Sequence, residues 1–163
     1  MGSGKTHWGK IWAELYGFAF IDLDAEIEKK EGETVAAIFE TKGEVYFRQI
    51  EALVLRSFEG SENVIIACGG GTPCFLENMQ WMNEHGTTIY LSSTTAEIFK
   101  RVLPGQQKRP LISKMNQAEL FFFIEQKLNE RLPFYTTAIV TLSTVGISEN
   151  SFGEVLSIIQ SAS

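Results

Sequence analysis

The sequence predicts an α/β fold in three layers, a parallel sheet covered by helices on both faces, and three observations carry that prediction. Short apolar runs of strand length alternate with longer segments of helical character. Breaker or acidic residues follow the strand candidates, Asp22 and Asp24 after one and Gly69-Gly70-Gly71 after another. The chain opens Met1-Gly2-Ser3-Gly4-Lys5-Thr6, the later part of the phosphate-binding pattern G-x-x-x-x-G-K-[ST].

The elements follow in order. After Gly4-Lys5-Thr6, residues 7–15 read as a helix whose positive N-terminal end faces the phosphate loop. Strands are expected at 18–21, 63–67, 87–91 and 138–142, where β-branched and aromatic residues cluster. Helices are expected at 25–30, 34–41, 44–58, 75–84, 95–103, 117–131 and 151–161. On the helix at 44–58, Phe47, Ile50, Leu53 and Val54 mark an apolar face. Pro104 to Pro110, polar and rich in breakers, reads as a mobile surface loop and a candidate lid.

Composition narrows the function. The 163 residues suit one domain with a core that needs no staples. With 14 basic against 20 acidic residues and a net charge of −6, no nucleic-acid or membrane-surface partner is expected, since such partners select a basic excess. Cys68 and Cys74 are the only cysteines, too few for a disulfide framework or a zinc site, which suits a reducing, cytoplasmic setting. No apolar run approaches the roughly 18 residues that span a bilayer.

Ligands of open parallel sheets bind beyond the carboxyl ends of the strands, and the polar motifs fall there. Gly2, Ser3 and Gly4 supply backbone N–H groups for phosphate, Lys5 its charge, and Thr6 a hydroxyl for Mg²⁺. Asp22 and Asp24, two apart, project to one side if the strand continues through them. They suit a metal-bound water and a general base, while Asp24 is also placed to cap the next helix. Arg48 and Glu51 are helical neighbours, so Glu51 can aim the Arg48 fork at a carboxylate; a plain surface ion pair has the same spacing. Three glycines in a row at 69–71 indicate positive φ or a close approach to the backbone. Arg109 ends the lid candidate, and Arg131 suits either anion binding or the C-terminal end of its helix. Arg101 and Lys108 are placed on the nucleotide side. His7, His85 and both cysteines are assigned no catalysis; Phe121-Phe122-Phe123 and Trp81 are assigned to packing.

Gly4-Lys5-Thr6, Ile21-Asp22-Leu23-Asp24, Phe47-Arg48-Gln49-Ile50-Glu51, Gly69-Gly70-Gly71, Arg109-Pro110-Leu111 and Arg131-Leu132-Pro133-Phe134-Tyr135 together resemble the shikimate kinase family in order and spacing. The resemblance implies a P-loop fold of the nucleoside monophosphate kinase type with five parallel strands, a substrate-binding region near 24–52 and a lid near 103–115. It implies a monomer in which the γ-phosphoryl of ATP passes to the 3-hydroxyl of shikimate. By similarity Lys5 stabilises the transferring group, Thr6 and, through water, Asp22 hold Mg²⁺, and Asp24 binds substrate hydroxyls and acts as base. Arg48 and Arg131 clamp the substrate carboxylate, Glu51 orients Arg48, Gly69, Gly70 and Gly71 contact ring hydroxyls, and Arg109 closes with the lid.

In that family a strand and the first P-loop glycine precede the position of Met1, and a Met often occupies this place in the motif. Met1 therefore reads as an internal residue of the motif. A sheet without that strand is expected to split at its centre, with poor stability and little turnover. His7 stands where the family usually has Thr or Ser, and the arginine often found near the adenine has no match after Leu142. The competing readings are a gluconate kinase of the same fold and a ligand-binding relative without catalysis.

Overall fold

The computed structural model describes residues 2–109 and 111–162, without the side chains of Lys108 and residues 160–162. The chain runs α1 (Lys5–Tyr16), β1 (Ala19–Asp22), α2 (Leu23–Glu31), α3 (Val35–Thr41), α4 (Gly43–Arg56) and β2 (Val64–Ala67). A 3-10 turn (Thr72–Cys74), α5 (Asn78–His85), β3 (Ile89–Ser92) and α6 (Thr95–Val102) follow. A second 3-10 segment (Leu103–Lys108), α7 (Gln117–Tyr135), β4 (Val140–Ser143) and α8 (Ser151–Ala162) complete it.

Local chemistry sets the helix ends. Gly4 at φ 91° and Gly17 at φ 73° bound α1 in the left-handed region that glycine enters without steric cost. Asp22 caps α2, and Thr94 with Glu97 and Asn116 with Glu119 form reciprocal capping boxes on α6 and α7. Each such cap stabilises its helix by about 1 kcal/mol.

β1 pairs in parallel with β2, Ala19 opposite Val64 and Asp22 opposite Ala67. β3 pairs in parallel with β4, from Ile89 opposite Val140 to Ser92 opposite Ser143. Among the described residues no backbone pairing joins the two pairs, so the sheet is split, as the sequence reading anticipates. A cavity of about 560 Å³ separates β2 from β3, bordered by Val64, Ile65, Ile66, Ile89, Tyr90 and Leu91.

Three apolar clusters hold the layers. Leu23, Ile27, Ile38, Phe47, Val54 and Leu55 pack α2, α3 and α4 together, with Ile66 of β2 against them. Trp12, Leu91, Val140, Phe152 and Val155 join α1 and α8 to β3 and β4. Ile98, Val102, Ile112, Leu120 and Ile124 join α6 and α7 to the candidate lid. Each fully buried aliphatic side chain contributes about 1.5–3 kcal/mol.

Several boundaries differ from the sequence reading. Each strand starts one or two residues later than expected, and α5 starts at Asn78 because Leu76 and Glu77 turn into the left-handed region at φ 49° and 57°. The helix at 117–131 continues to Tyr135 through Pro133, whose missing N–H removes one bond near the helix end. Leu53 is 51% exposed and Phe122 65% exposed, so neither belongs to the core. Phe121 instead packs edge-on against Phe99, and Phe123 lies against the α6–α7 cluster. The stretch read as a mobile loop is folded over Leu103–Lys108, with Ile112 buried. The Gln106 side-chain amide donates to the carbonyls of Ile112 at 2.7 Å and Met115 at 2.6 Å, drawing the segment back on itself. Pro110 lies outside the described residues.

Candidate active site

The N-terminus of α1, the end of β1, the glycine triplet after β2 and the C-terminal part of α7 meet at one end of the cavity. Ser3, Lys5, Gly69, Gly70, Arg131 and Tyr135 all line it there. Lys5 is the first residue of α1, where the helix dipole and free N–H groups favour an anion. Burial holds its ammonium below the usual lysine range, against the opposing fields of Cys68, Asp24 and Asp22 and alongside that of Arg131. A desolvated cation of this kind attracts phosphate more strongly than a hydrated one.

Asp22 serves two neighbours. One oxygen accepts from the Ala25 N–H at 3.4 Å as the helix cap, and the other accepts from the Thr6 hydroxyl at 3.3 Å. Asp24 lies in the first turn of α2 and not on the strand, so strand periodicity does not explain why the two carboxylates act together. The strand end and the helix start bring them close by a different route. Asp22, and not Asp24, is the cap. Burial, then the fields of Asp22 and Glu51, push the Asp24 carboxyl above the usual carboxylate range, with Lys5 opposing. A carboxylate whose proton affinity is raised is a stronger base.

Arg48 is held on every side. Its Nη1 donates to Glu51 Oε2 at 2.8 Å, and Nη2 and Nε donate to Glu44 Oε1 at 3.0 and 3.2 Å. Its guanidinium carbon sits 4.2 Å from the centre of the Phe75 ring and 5.1 Å from that of Phe47. Glu51 is fully buried, which removes the reading of Arg48–Glu51 as a plain surface pair. The glycine triplet wraps this arrangement. None of Gly69, Gly70 and Gly71 has positive φ, and close approach is what requires Gly69 and Gly71. A Cβ on Gly71 would lie 2.6 Å from Arg48 Nη2, and one on Gly69 would lie 3.3 Å from both Asp24 and Glu51 oxygens.

Arg131 sits inside α7, away from its last turn, because the helix runs on to Tyr135; compensation of the helix end does not account for it. It faces the Tyr135 hydroxyl, which donates to the Gly70 carbonyl at 2.6 Å. Tyr135 thus ties α7 to the glycine turn. Arg101 bridges three segments, donating to the Gly2 carbonyl at 3.5 Å, Ser93 at 3.2 Å and Thr144 at 3.2 Å. It borders the Gly2–Gly4 loop from the β3 and β4 side. Gly2, at φ 72°, packs on α6, where a Cβ would meet Val102 at 2.7 Å. Arg109 Nη1 is buried and has no hydrogen-bond partner among the described residues. The Lys108 side chain lies outside the described residues.

The residues assigned no chemistry have structural partners. Cys68 and Cys74 form no disulfide, and burial pushes the Cys68 thiol up to about 12, far from a thiolate. His85 stacks on Trp81, 4.4 Å between centroids, and His7 lies edge-on to Trp8. No helix among the described residues is long and apolar enough to cross a membrane. Sequence reasoning missed Glu44, Phe75 and Asn78, and gave no role to Thr72 or to Tyr135, which it met only as part of a motif. The spacing of Glu44 four residues before Arg48 was a usable signal; the others become neighbours only through packing of distant segments.

A family model described as shikimate kinase matches residues 1–160. The shikimate kinase of Parabacteroides distasonis is 44% identical over 141 residues, 86% of this chain and 82% of that protein. That of Persephonella marina is 42% identical over 148 residues, 91% of this chain and 87% of that protein. Among solved structures, shikimate kinase from Bacteroides thetaiotaomicron superposes with a TM-score of 0.85 at 40% identity, covering 88% of this chain and 81% of that one. Shikimate kinase from Acinetobacter baumannii in complex with shikimate superposes with a TM-score of 0.84 at 32% identity, covering 99% and 89%.

Proposed function

The chain belongs to the shikimate kinase family, and on that premise we propose that it phosphorylates shikimate at the 3-hydroxyl, using ATP, on the route to chorismate and the aromatic amino acids. The observation that carries the reading is the buried Arg48–Glu51 pair, pressed on Gly71 and set beside Asp24 and Lys5. A hydroxylated carboxylic acid needs a fixed cation for its carboxylate and a base for its reacting hydroxyl. Both stand here, on elements that approach a phosphate-binding helix start.

In this reading Arg48 and Arg131 bind the carboxylate, and Gly69, Gly70 and Gly71 let the ring approach the backbone. Asp24 accepts the proton of the 3-hydroxyl as its oxygen bonds to the γ-phosphorus and the bond from that phosphorus to the β–γ bridging oxygen breaks. Lys5 and the N–H groups of Gly2, Ser3 and Gly4 stabilise the charge on the moving group. Arg109 has a buried nitrogen in need of an acceptor, which suits a phosphate oxygen. Arg101 fixes the loop edge from outside.

Mg²⁺ fits the site. Thr6 Oγ1 and Asp22 Oδ2 are hard oxygen donors 3.3 Å apart, and Mg²⁺ takes one or two protein ligands while keeping its waters. Thr6 would hold it directly and Asp22 through water; when bound, the ion neutralises phosphate charge. The acidic balance and free cysteines support a cytoplasmic protein acting on small molecules, with no nucleic acid or membrane partner, and the family resemblance alone supports a monomer.

The test is ADP release from ATP and Mg²⁺ with shikimate or with gluconate, in the parent and in Asp24→Asn. Shikimate-dependent turnover that the substitution abolishes is expected. Turnover with gluconate alone would overturn the substrate assignment, and ligand binding without turnover would favour a non-catalytic relative.

A further inference from the structure

Behind the carboxylate clamp, the Arg48–Glu51 pair joins a closed circuit of polar groups whose other members, Thr72, Asn78 and Arg56, the reaction scheme does not use. It starts and ends on α4. The Thr72 hydroxyl donates to Glu51 Oε1 at 2.6 Å, while Glu51 Oε2 receives Arg48 Nη1 at 2.8 Å. Asn78 Nδ2 donates to the Thr72 carbonyl at 3.0 Å, and Asn78 Oδ1 receives Arg56 Nη1 at 2.7 Å. Arg56 returns to α4 through the Ala52 carbonyl at 3.1 Å and also holds the Leu76 carbonyl at 2.9 Å. Glu51, Thr72 and Asn78 are each 0% exposed, so water cannot replace any of these partners.

We propose that Thr72, backed by Asn78, is a positioning residue that sets the Arg48 fork for the substrate carboxylate; the proposal rests on the reading of Arg48 as that clamp. The hydroxyl has one proton, and it goes to Glu51 Oε1. That bond fixes the rotation of the carboxylate and leaves Oε2 alone facing Arg48. Thr72 also follows Gly71 directly, the residue whose Cα lies against the guanidinium. One side chain thereby couples the glycine turn, the aiming carboxylate and the arginine. Without the hydroxyl, Glu51 Oε1 is a buried unpaired acceptor, and the carboxylate rotates to offer both oxygens to Arg48. The fork is then drawn inward, away from the substrate.

The experiment compares Thr72→Val, which keeps the volume and removes the hydroxyl, with Thr72→Ser, which restores it, using shikimate and shikimate methyl ester as acceptors. Thr72→Val is expected to raise KM for shikimate roughly tenfold or more, the loss of one hydrogen bond to a charged group, with kcat within about twofold of the parent. KM for the ester, which carries no carboxylate, should stay near the parent value, and Thr72→Ser should recover shikimate affinity. Asn78→Asp, which removes the donor to the Thr72 carbonyl while keeping the pair with Arg56, is expected to shift KM in the same direction by less. It serves as the second variant if Thr72→Val does not fold. Equal effects on both acceptors, or no rise in KM for shikimate, overturn the proposal. Arg48→Met is the control for the clamp itself: if it leaves KM for shikimate unchanged, the clamp reading fails and the positioning role falls with it.

Discussion

Gly71 and Arg48 touch so closely that no side chain fits between them: a Cβ on Gly71 would stand 2.6 Å from Nη2 and 2.9 Å from the guanidinium carbon. With the Phe75 ring against the same guanidinium, the group is held between backbone and aromatic ring. Gly71→Ala is therefore expected to displace the fork and raise KM for shikimate several-fold, leaving KM for ATP near the parent value. Steady-state kinetics in both substrates checks this. An unchanged KM for shikimate would show that the fork tolerates displacement.

Asp24 connects activity to stability. Its carboxyl is raised above the usual range by burial and by the fields of Asp22 and Glu51. The folded state therefore binds its proton more tightly than the unfolded chain does, and stability contributed by Asp24 falls as pH rises from the unfolded value towards the folded one. Above that window the ionised group is a standing cost. Asp24→Asn is expected to raise the thermal midpoint at neutral pH while abolishing turnover. In the parent, kcat/KM should climb with pH through a value above that of a free aspartate. A lower midpoint in the variant would mean that the ionised carboxylate stabilises the fold.

Lys5 carries the opposite sign. Burial lowers its pKa, so its ammonium also costs folding energy, offset by the pull of a bound phosphate. Lys5→Met should lose about 10²–10³-fold in kcat, the scale for removing one fixed donor from a developing charge, without loss of thermal stability. Circular-dichroism melting beside the ADP assay separates the two effects.

Thr6 and Asp22 make Mg²⁺ dependence testable. Thr6→Val removes one of two oxygens that stand 3.3 Å apart, so the Mg²⁺ concentration for half-maximal rate is expected to rise, with KM for shikimate little changed. A shift confined to shikimate would place the metal elsewhere.

The sequence by itself determined the strand–helix alternation, the parallel pairing that it entails, and the residue types at the carboxyl edge of the sheet. Gly4-Lys5-Thr6, Asp22, Asp24, Arg48, Glu51 and Arg131 were legible because their chemistry is carried by short local spacings. The tertiary structure alone decided which neighbours make those residues work. The Asp24 carboxyl is raised above the usual range first by burial, which packing alone sets, and then by the fields of its neighbour Asp22 and of the distant Glu51. Thr72 meets Glu51 across 21 residues, and Tyr135 meets Gly70 across 65. It also decided that Gly69 and Gly71 serve close approach and not positive φ, and that Arg131 lies within its helix. Periodicity and propensity act over a few residues, whereas desolvation, buried hydrogen bonding and steric exclusion depend on which surfaces the packed elements press together.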